Sequence, residues 1–528
     1  MPGTPQEPDA RQQPGASSRP AGPTRDQRPV THGDVAKGAG TALLSRLGAV
    51  IEVISQPAYT WMFGLATYGL YTVLWSLVNL VENVADLGMT SALQRVVPQT
   101  RNEGEAAAAL RAALLIGVMP CIVIALAASL AAPWLATIIN VAAADRPELA
   151  TGIGLFAWAL PLWAMVEIST SALRARRAFG PEIRLRIFWE QVIRLAIAAA
   201  LWAMGVDTLG LLIAHLCSLT LTTLLSIRLL SRYYDLKLML SEPFSSTTLT
   251  QTWLAGISVL PSNIVSRIFG DAPPVVLNLW FPGAAGATAA GLYGIARKLS
   301  SLVQMVRIAF SYVVGPLASA VARDDRGAIQ PLYGFATRLS TVLALPISAV
   351  LIGGGWAILH LFGPRGHEAL WLVIPLVAAR AMEAIGGPAA AIQQVTSKMQ
   401  HPVINSAVGL GCAIVSAAIL LPFAAAMGMA IAVGTGLVAS SLFCILQLRR
   451  GQGLNPFAPP FGRALATGLC VSMGIILLLL ALRPLLPWPA EIALAVFCLF
   501  GGTWLSARLG LTGEDKAALG RTRQKLRL

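Results

Sequence analysis

Residues 66–89 read ATYGLYTVLWSLVNLVENVADLGM. The stretch has the roughly 20-residue length that carries a helix across a bilayer core. At helical spacing Thr72, Trp75, Asn79, Glu82, Asn83 and Asp86 share one face, and the remaining faces are apolar. Charge at mid-membrane depth costs about 3 kcal/mol or more. This span must therefore turn its acidic face toward water or protein, and it predicts a membrane helix with work to do.

The rest of the chain repeats the pattern. Of 528 residues 55% are hydrophobic and only 12% charged, and the mean hydropathy is +0.67; a soluble globule of this size would lack the polar surface to cover itself. Roughly fourteen apolar stretches of membrane-spanning length lie at 41–63, 66–89, 106–139, 151–173, 185–204, 207–229, 252–281, 286–316, 335–362, 368–395, 403–424, 427–447, 464–484 and 487–508. The formal net charge of +14 is spread between these spans rather than gathered on one surface, which excludes a nucleic-acid reader. Cys121, Cys217, Cys412, Cys444, Cys470 and Cys498 all fall inside apolar stretches without ligand spacing, so neither a disulfide frame nor a metal site is expected. Residues 1–37, rich in Pro, Gln, Gly and Arg, predict a disordered tail. They lack the apolar core of a signal peptide, which leaves the first span as the insertion signal.

Charge sets the orientation. If the N-terminus is cytoplasmic, the inner segments hold Arg95, Arg101, Arg174, Arg176, Arg177, Arg184, Arg186, Arg228, Arg232, Lys237, Arg323, Arg326, Lys398, Arg449, Arg450 and Arg463. The C-terminal segment adds Arg508, Lys516, Arg521, Arg523, Lys525 and Arg527, whereas the outer loops hold only Arg146, Arg365 and Arg483. This bias predicts both termini on the cytoplasmic side. Outer loops are short, leaving no room for the external domain on which a membrane polymerase or ligase carries its chemistry. No phosphate-binding Gly-Lys loop, His-Glu-x-x-His pair or nucleophile elbow occurs, so a transporter without cofactor, rather than an enzyme, is expected.

Gly69-Leu70-Tyr71 opens the second span, and Gly291-Leu292-Tyr293 opens the eighth, 222 positions later. The same offset relates Arg101 to Arg323 and Trp134 to Trp356, and Pro181 and Pro402 match at one position less. Several matches in register at equivalent places predict a duplicated six-helix unit. An even number of spans per unit makes the repeat parallel, with its axis along the membrane normal. The expected architecture is an all-α polytopic membrane protein of about fourteen transmembrane helices: two pseudo-symmetric six-helix lobes around a central cavity, plus two C-terminal helices. Its segments are the tail 1–37, a first lobe at 38–232, a cytoplasmic linker at 233–251, a second lobe at 252–450, the last two helices at 451–510 and a basic cytoplasmic tail at 511–528.

Thr41-Ala42-Leu43, Phe63-Gly64, Tyr68-Gly69-Leu70-Tyr71 and Ala85-Asp86-Leu87-Gly88-Met89, within the stretch from Gly38 to Gln99, resemble polysaccharide transporters of the MOP (multidrug/oligosaccharidyl-lipid/polysaccharide) superfamily. The resemblance is to its lipid-linked oligosaccharide flippases. It implies two bundles around a cavity that opens alternately to each side of the bacterial inner membrane and moves an undecaprenyl-diphosphate-linked repeat unit outward for O-antigen or exopolysaccharide synthesis. A polysaccharide polymerase complex is the partner it suggests. A lipid II or multidrug exporter of the same superfamily, and a non-transporting scaffold of an envelope assembly complex, remain open.

The charges inside the spans are the candidate site. In the eighth span Tyr293, Arg297, Ser300, Gln304, Arg307 and Ser311 fall within about 80° of one another on a helical wheel, with Lys298 beside them. Asn263, Ser266, Arg267 and Asp271 stand in the seventh. Guanidinium groups bind phosphate oxygens in a fork, so Arg267, Arg297, Lys298, Gln304 and Arg307 are expected to hold a diphosphate head group. The competing reading pairs Arg267 with Asp271 at i,i+4 and lets Arg297 and Lys298 reach an interface. The first lobe is acidic instead: Glu52, on a stripe with Ser45, Ser55, Gln56 and Tyr59, joins Glu82 and Asp86 as an expected H+ or Na+ coupling site. Against that, Glu52 or Glu82 could neutralise an Arg across the cavity, and Asp86 could cap a helix end. Glu190 with Arg194 and Arg380 with Glu383 read as self-neutralising pairs within a helix. Glu167 and His215, lone polar residues on apolar helices, read as satisfied core groups, with a place in the cavity wall as the alternative for either. Pro273-Pro274 and Gly386-Gly387-Pro388 are expected to break or kink their spans.

Overall fold

The computed structural model describes residues 47–100, 102–176, 185, 189–241, 246–321, 329–397 and 400–519. The tail at 1–37, Pro181, the basic positions Arg101, Arg177, Arg184, Arg186, Arg323, Arg326, Lys398, Arg521, Arg523, Lys525 and Arg527, and the side chain of Glu52 lie outside the described residues.

Helices lie beneath every apolar stretch, and no strand occurs among the described residues. In chain order they are α1 (Leu47–Phe63), α2 (Leu65–Ala85), α3 (Met89–Val96), α4 (Glu103–Leu130), α5 (Ala132–Ile138), α6 (Leu149–Phe156), α7 (Ala159–Ala175), α8 (Glu190–Ala203), α9 (Thr208–Leu230) and α10 (Leu236–Ser241). There follow α11 (Ser246–Trp280), α12 (Ala284–Val321), α13 (Ile329–Gly353), α14 (Gly355–His360), α15 (Leu370–Ile385), α16 (Ala389–Thr396), α17 (Gln400–Gln452), α18 (Phe461–Leu482), α19 (Trp488–Gly510) and α20 (Gly513–Ala518). Seven helices among the described residues are long and apolar enough to cross a membrane, and eight if the pair Gly366–Ile385 and Ala389–Thr396, bent by 46°, is one span. α2, α11 and α12 fall outside that set, and these three carry most of the intramembrane charges expected at the site, among them Glu82, Arg267, Arg297 and Arg307. They pack on one another, so their polar faces meet protein rather than lipid.

Local chemistry sets the ends. Gly64, at φ 80°, makes the turn between α1 and α2 in a region that a side chain would strain. Asn102 caps α4 by accepting from the Glu105 amide at 2.7 Å, with Glu103 and Glu105 in the first turn facing the helix dipole. The eleventh and twelfth stretches form one long element, α17, which reverses at Ala425 (φ 49°). Its halves lie side by side, because a Cβ on Gly409 would sit 2.7 Å from the Gly436 carbonyl. The third, fourth and ninth stretches are interrupted, near Ala131, Ala157 and Gly354.

The tenth stretch breaks at Gly386-Gly387-Pro388, as expected. The seventh does not: α11 runs uninterrupted through Pro261, Pro273 and Pro274. Pro274 lacks the amide that would bond the Gly270 carbonyl, and the Arg297 guanidinium of α12 donates to that carbonyl instead. A neighbouring side chain thus replaces the missing donor, and the helix persists.

Exposed Trp61, Trp134, Trp202, Trp280, Trp371 and Trp488 sit at the span ends opposite the arginine-rich loops, where an indole suits a membrane interface. α18 and α19 pack on α13. Their junction is fixed by α20, where Thr512 and Asp515 form a capping box and Arg338 of α13 donates two bonds to the Asp515 carboxylate, at 2.6 and 2.9 Å.

Candidate functional site

The site lies between the repeats, and the sequence places its axis. A Cβ on Gly69 would lie 1.8 Å from the Ala287 carbonyl oxygen and 3.1 Å from the Gly291 nitrogen, and one on Gly294 would meet Thr72 Cγ2 at 2.9 Å. Gly291 and Gly294 are the repeat counterparts of Gly69 and Thr72. Two copies related by a twofold axis bring a residue against its own counterpart only where that axis passes. The two Gly-Leu-Tyr motifs therefore mark the axis, and glycine there lets α2 and α12 cross backbone to backbone.

Reciprocal hydrogen bonds close the same end. The Asn140 amide donates to Asn278 Oδ1 at 3.0 Å, Asn140 Nδ2 to the Asn278 carbonyl at 2.9 Å, Asn278 Nδ2 to the Asn140 carbonyl at 2.7 Å, and the Gly283 amide to Asn140 Oδ1 at 3.0 Å. Trp61 Nε1 adds a bond to the Leu361 carbonyl at 2.7 Å. Each links a residue before α11 to one in or after it. At the opposite end closure is apolar and steric: a Cβ on Gly88 would meet the Gly256 carbonyl at 2.4 Å, and Ala255 joins a cluster with Met89, Leu93 and Ala172.

Between the two closures α2, α3, α7 and α11 leave a cavity of ≈ 160 Å³ lined by Glu82, Asn83, Asp86, Thr90, Ser91, Glu167, Asn263 and Arg267. Of the expected head-group residues, Arg267 is in its wall, together with the expected acidic residues Glu82 and Asp86. Arg297, Lys298, Gln304 and Arg307 are not among its lining. Arg297 is engaged elsewhere, with Asp271 Oδ1 at 2.7 Å and the Gly270 carbonyl. Without Arg297 that part-buried carbonyl would lose this donor, at a cost of about 1 kcal/mol. Arg307 approaches Glu383 at 3.8 Å, and Glu383 holds Arg380 at 2.6 Å. The i,i+4 pair of Arg267 and Asp271 is present but long, at 4.0 Å, and Arg267 is 38% exposed. Arg267 is thus the cavity cation with the loosest partner.

The acids divide by role. Asp86 accepts from the Gly88 amide at 2.7 Å, Thr90 Oγ1 at 2.9 Å and the Thr90 amide at 3.3 Å, which starts α3; its carboxylate is committed to the backbone. Glu82, on the α2 face with Asn79 and Asn83, lines the cavity and is 2% exposed. Glu167 of α7 joins it in the wall, the alternative the sequence left open for it. Ser55, Gln56 and Tyr59 of α1 are buried, and Tyr68 donates to Gln56 Oε1 at 2.8 Å. Glu190 and Arg194 pair within α8, and Arg194 also donates to the Tyr71 hydroxyl, which contacts His215 Nδ1 at 3.1 Å. That network lies inside the first repeat, away from the cavity lining. No group of three His, Cys, Asp or Glu among the described residues is placed to hold a metal ion.

Asn140 and Asn278 gave no sequence signal beyond being amides at the ends of apolar spans, 138 positions apart. Thr90 and Ser91 sit in a short amphipathic helix that hydropathy does not mark.

A model of polysaccharide biosynthesis proteins matches residues 62–369, more than half of the chain. Among solved structures, a lipid II flippase, MurJ, in an inward closed conformation superposes with a TM-score of 0.67 at 13% identity, over 88% of this chain and 99% of that one. An inward-facing multidrug resistance MATE family transporter of the MOP superfamily gives a TM-score of 0.61 at 13% identity, over 80% and 95%. The Vibrio cholerae MATE transporter VcmN gives 0.59 at 13%, over 80% and 97%. No curated protein sequence matches the chain.

Proposed function

The chain belongs to the polysaccharide biosynthesis protein family within the MOP superfamily, and we propose that it is a flippase moving an undecaprenyl-diphosphate-linked oligosaccharide repeat unit outward across the bacterial inner membrane, with both termini cytoplasmic. The observation that carries the proposal is the polar cavity between the repeats, with Arg267 in its wall, inside helices whose outer faces are apolar. A cavity of ≈ 160 Å³ holds about five waters. A diphosphate with its sugars does not fit, so this is a closed state between loading and release. Loading parts Gly88 from Gly256, and release parts the Asn140–Asn278 bonds.

In this reading Arg267 takes the head group by a forked, charge-assisted contact, and the lipid tail stays in the membrane between the repeats. Glu82 and Glu167 supply the coupling site: a proton or Na+ on them lowers the negative charge that a diphosphate meets on entry, and so favours one cavity state over the other. Carboxylates would also suit a cationic drug, but among the described residues the lining contains no aromatic side chain to stack on one. A polymerase complex that receives the exported unit is the expected partner.

The test is head-group translocation in proteoliposomes loaded with a fluorescent polyprenyl-diphosphate oligosaccharide. Wild-type protein should expose the inner-leaflet probe to an external quencher, and Arg267→Ala should slow this at least tenfold. Equal rates with and without protein would exclude the function.

A further inference from the structure

The three charges Arg267, Asp271 and Arg297 form a series that runs from the cavity into the body of the second repeat. Arg267 lines the cavity and reaches Asp271 only at 4.0 Å. Asp271 is buried, and Arg297 holds it at 2.7 Å. The same guanidinium atom of Arg297 donates to the Gly270 carbonyl, the acceptor that Pro274 leaves without an intrahelical donor. Asp271 therefore stands one helical turn from Arg267 and beside a peptide group of α11 whose carbonyl is bonded from another helix.

We propose that Asp271 is a positioning residue that holds Arg267 while the cavity is empty, and that Arg297 is the staple carrying its state to the proline segment of α11 rather than a head-group ligand. The inference deepens the flippase reading and rests on it. Its logic is competition. A long, half-exposed i,i+4 pair is weak, so a diphosphate, which offers Arg267 two oxygens in a fork, displaces Asp271 readily. The carboxylate then turns wholly to Arg297. The short buried pair and the orphaned carbonyl fix Arg297 in place, and it does not follow Arg267 into the cavity. Head-group arrival thus changes the charge balance at Gly270–Pro274, where α11 has given up its own hydrogen bonds and resists bending least. α11 packs against α2 and α3 of the other repeat, so a bend there moves the Gly88–Gly256 contact.

The experiment separates binding from turnover. Farnesyl diphosphate binding to the purified full-length protein is measured alongside flipping of a fluorescent polyprenyl-diphosphate probe in phosphatidylethanolamine/phosphatidylglycerol proteoliposomes. Asp271→Asn removes the competitor and should tighten binding about two- to threefold while slowing flipping. Arg297→Lys keeps the charge but cannot serve Asp271 and the Gly270 carbonyl together; it should leave binding within twofold and cut turnover at least tenfold. Retained binding shows that the variant is folded. Arg267→Ala should abolish binding, and adding Asp271→Asn to it should restore nothing. If Arg297→Lys weakens binding tenfold in step with flipping, Arg297 is a ligand and the proposal falls. Unchanged affinity in Asp271→Asn removes the competition. Binding and flipping absent from the wild type would overturn the flippase reading itself, and the series with it.

Discussion

Asn140→Ala deletes two bonds across the repeat interface, from its Nδ2 to the Asn278 carbonyl and from the Gly283 amide to its Oδ1. Asn278→Ala deletes the other two. A neutral hydrogen bond contributes about 1 kcal/mol net, so each single change should weaken closure at this end by about 2 kcal/mol, roughly thirtyfold in the closed-to-open ratio. The double variant should approach, without reaching, twice that, because the bonds share partners. Apolar contact at the Gly88–Gly256 end is untouched by either change, so the shift has a direction: the molecule should open on the tryptophan-rich side. Spin labels at Thr137→Cys and Ala284→Cys, both exposed and on opposite sides of the junction, report the separation by pulsed electron resonance, with exposed Cys217 and Cys470 changed to Ser. A longer-distance population should appear in the single variants and dominate in the double. If all three distributions match the parent, the amide bonds do not hold this end closed, and the steric crossing at Gly69 must do so alone.

Three further outcomes follow from the same geometry. Gly69→Ala places a Cβ where the Ala287 carbonyl lies 1.8 Å away; the α2–α12 crossing must separate by over an ångström, and flipping should fall at least tenfold while the protein still inserts and extracts as a monodisperse species. Glu82→Gln, and more so Glu82→Gln with Glu167→Gln, should flatten the pH or Na+ dependence of flipping; an unchanged dependence removes them as the coupling site. Asp515, outside the spans, is disfavoured as an anion by burial, but the Arg338 hydrogen bonds and charge and the Thr512 donors outweigh this and hold its carboxyl below the usual range. A depressed folded value stabilises above the unfolded pKa of about 3.9. That contribution is lost as pH falls through the folded value. Asp515→Asn should therefore lower thermal stability at pH 7, by about 3 kcal/mol for a broken buried pair, and the gap to wild type should narrow in melts near pH 3.

The sequence showed the fold through two signals that survive without coordinates. Hydropathy placed the apolar stretches beneath which helices lie among the described residues, because a bilayer imposes length and apolarity together. The repeated Gly-Leu-Tyr predicted the duplication, and in three dimensions the two motifs touch. The site was legible only in part. A wheel shows which residues share a face but not what that face meets, so it could not tell that Arg267 lines the cavity while Arg297 donates to the Gly270 carbonyl beneath Pro274. Pro273-Pro274 suggested a break, since the sequence cannot reveal that a donor on another helix stands in for the missing amide. For Asp86 the sequence offered both an ion site and a helix cap, and the α2–α3 turn shows its bonds to Gly88 and Thr90. The Asn140–Asn278 bonds join residues far apart in the chain and have no local pattern at all. The Thr512-x-x-Asp515 spacing of a capping box was present to be read, but its link to Arg338 was not.

In the proposed cycle this chain carries a lipid-linked glycan across the membrane with Arg267 at the head group. The most direct measurement is the surface polysaccharide and the pool of lipid-linked repeat units in cells lacking the protein, complemented by wild type or by Arg267→Ala at equal membrane levels. The account predicts lost surface glycan with the lipid-linked unit accumulated on the cytoplasmic side, relieved by wild type and not by Arg267→Ala. A normal surface glycan and no accumulation in the deleted cells would contradict it.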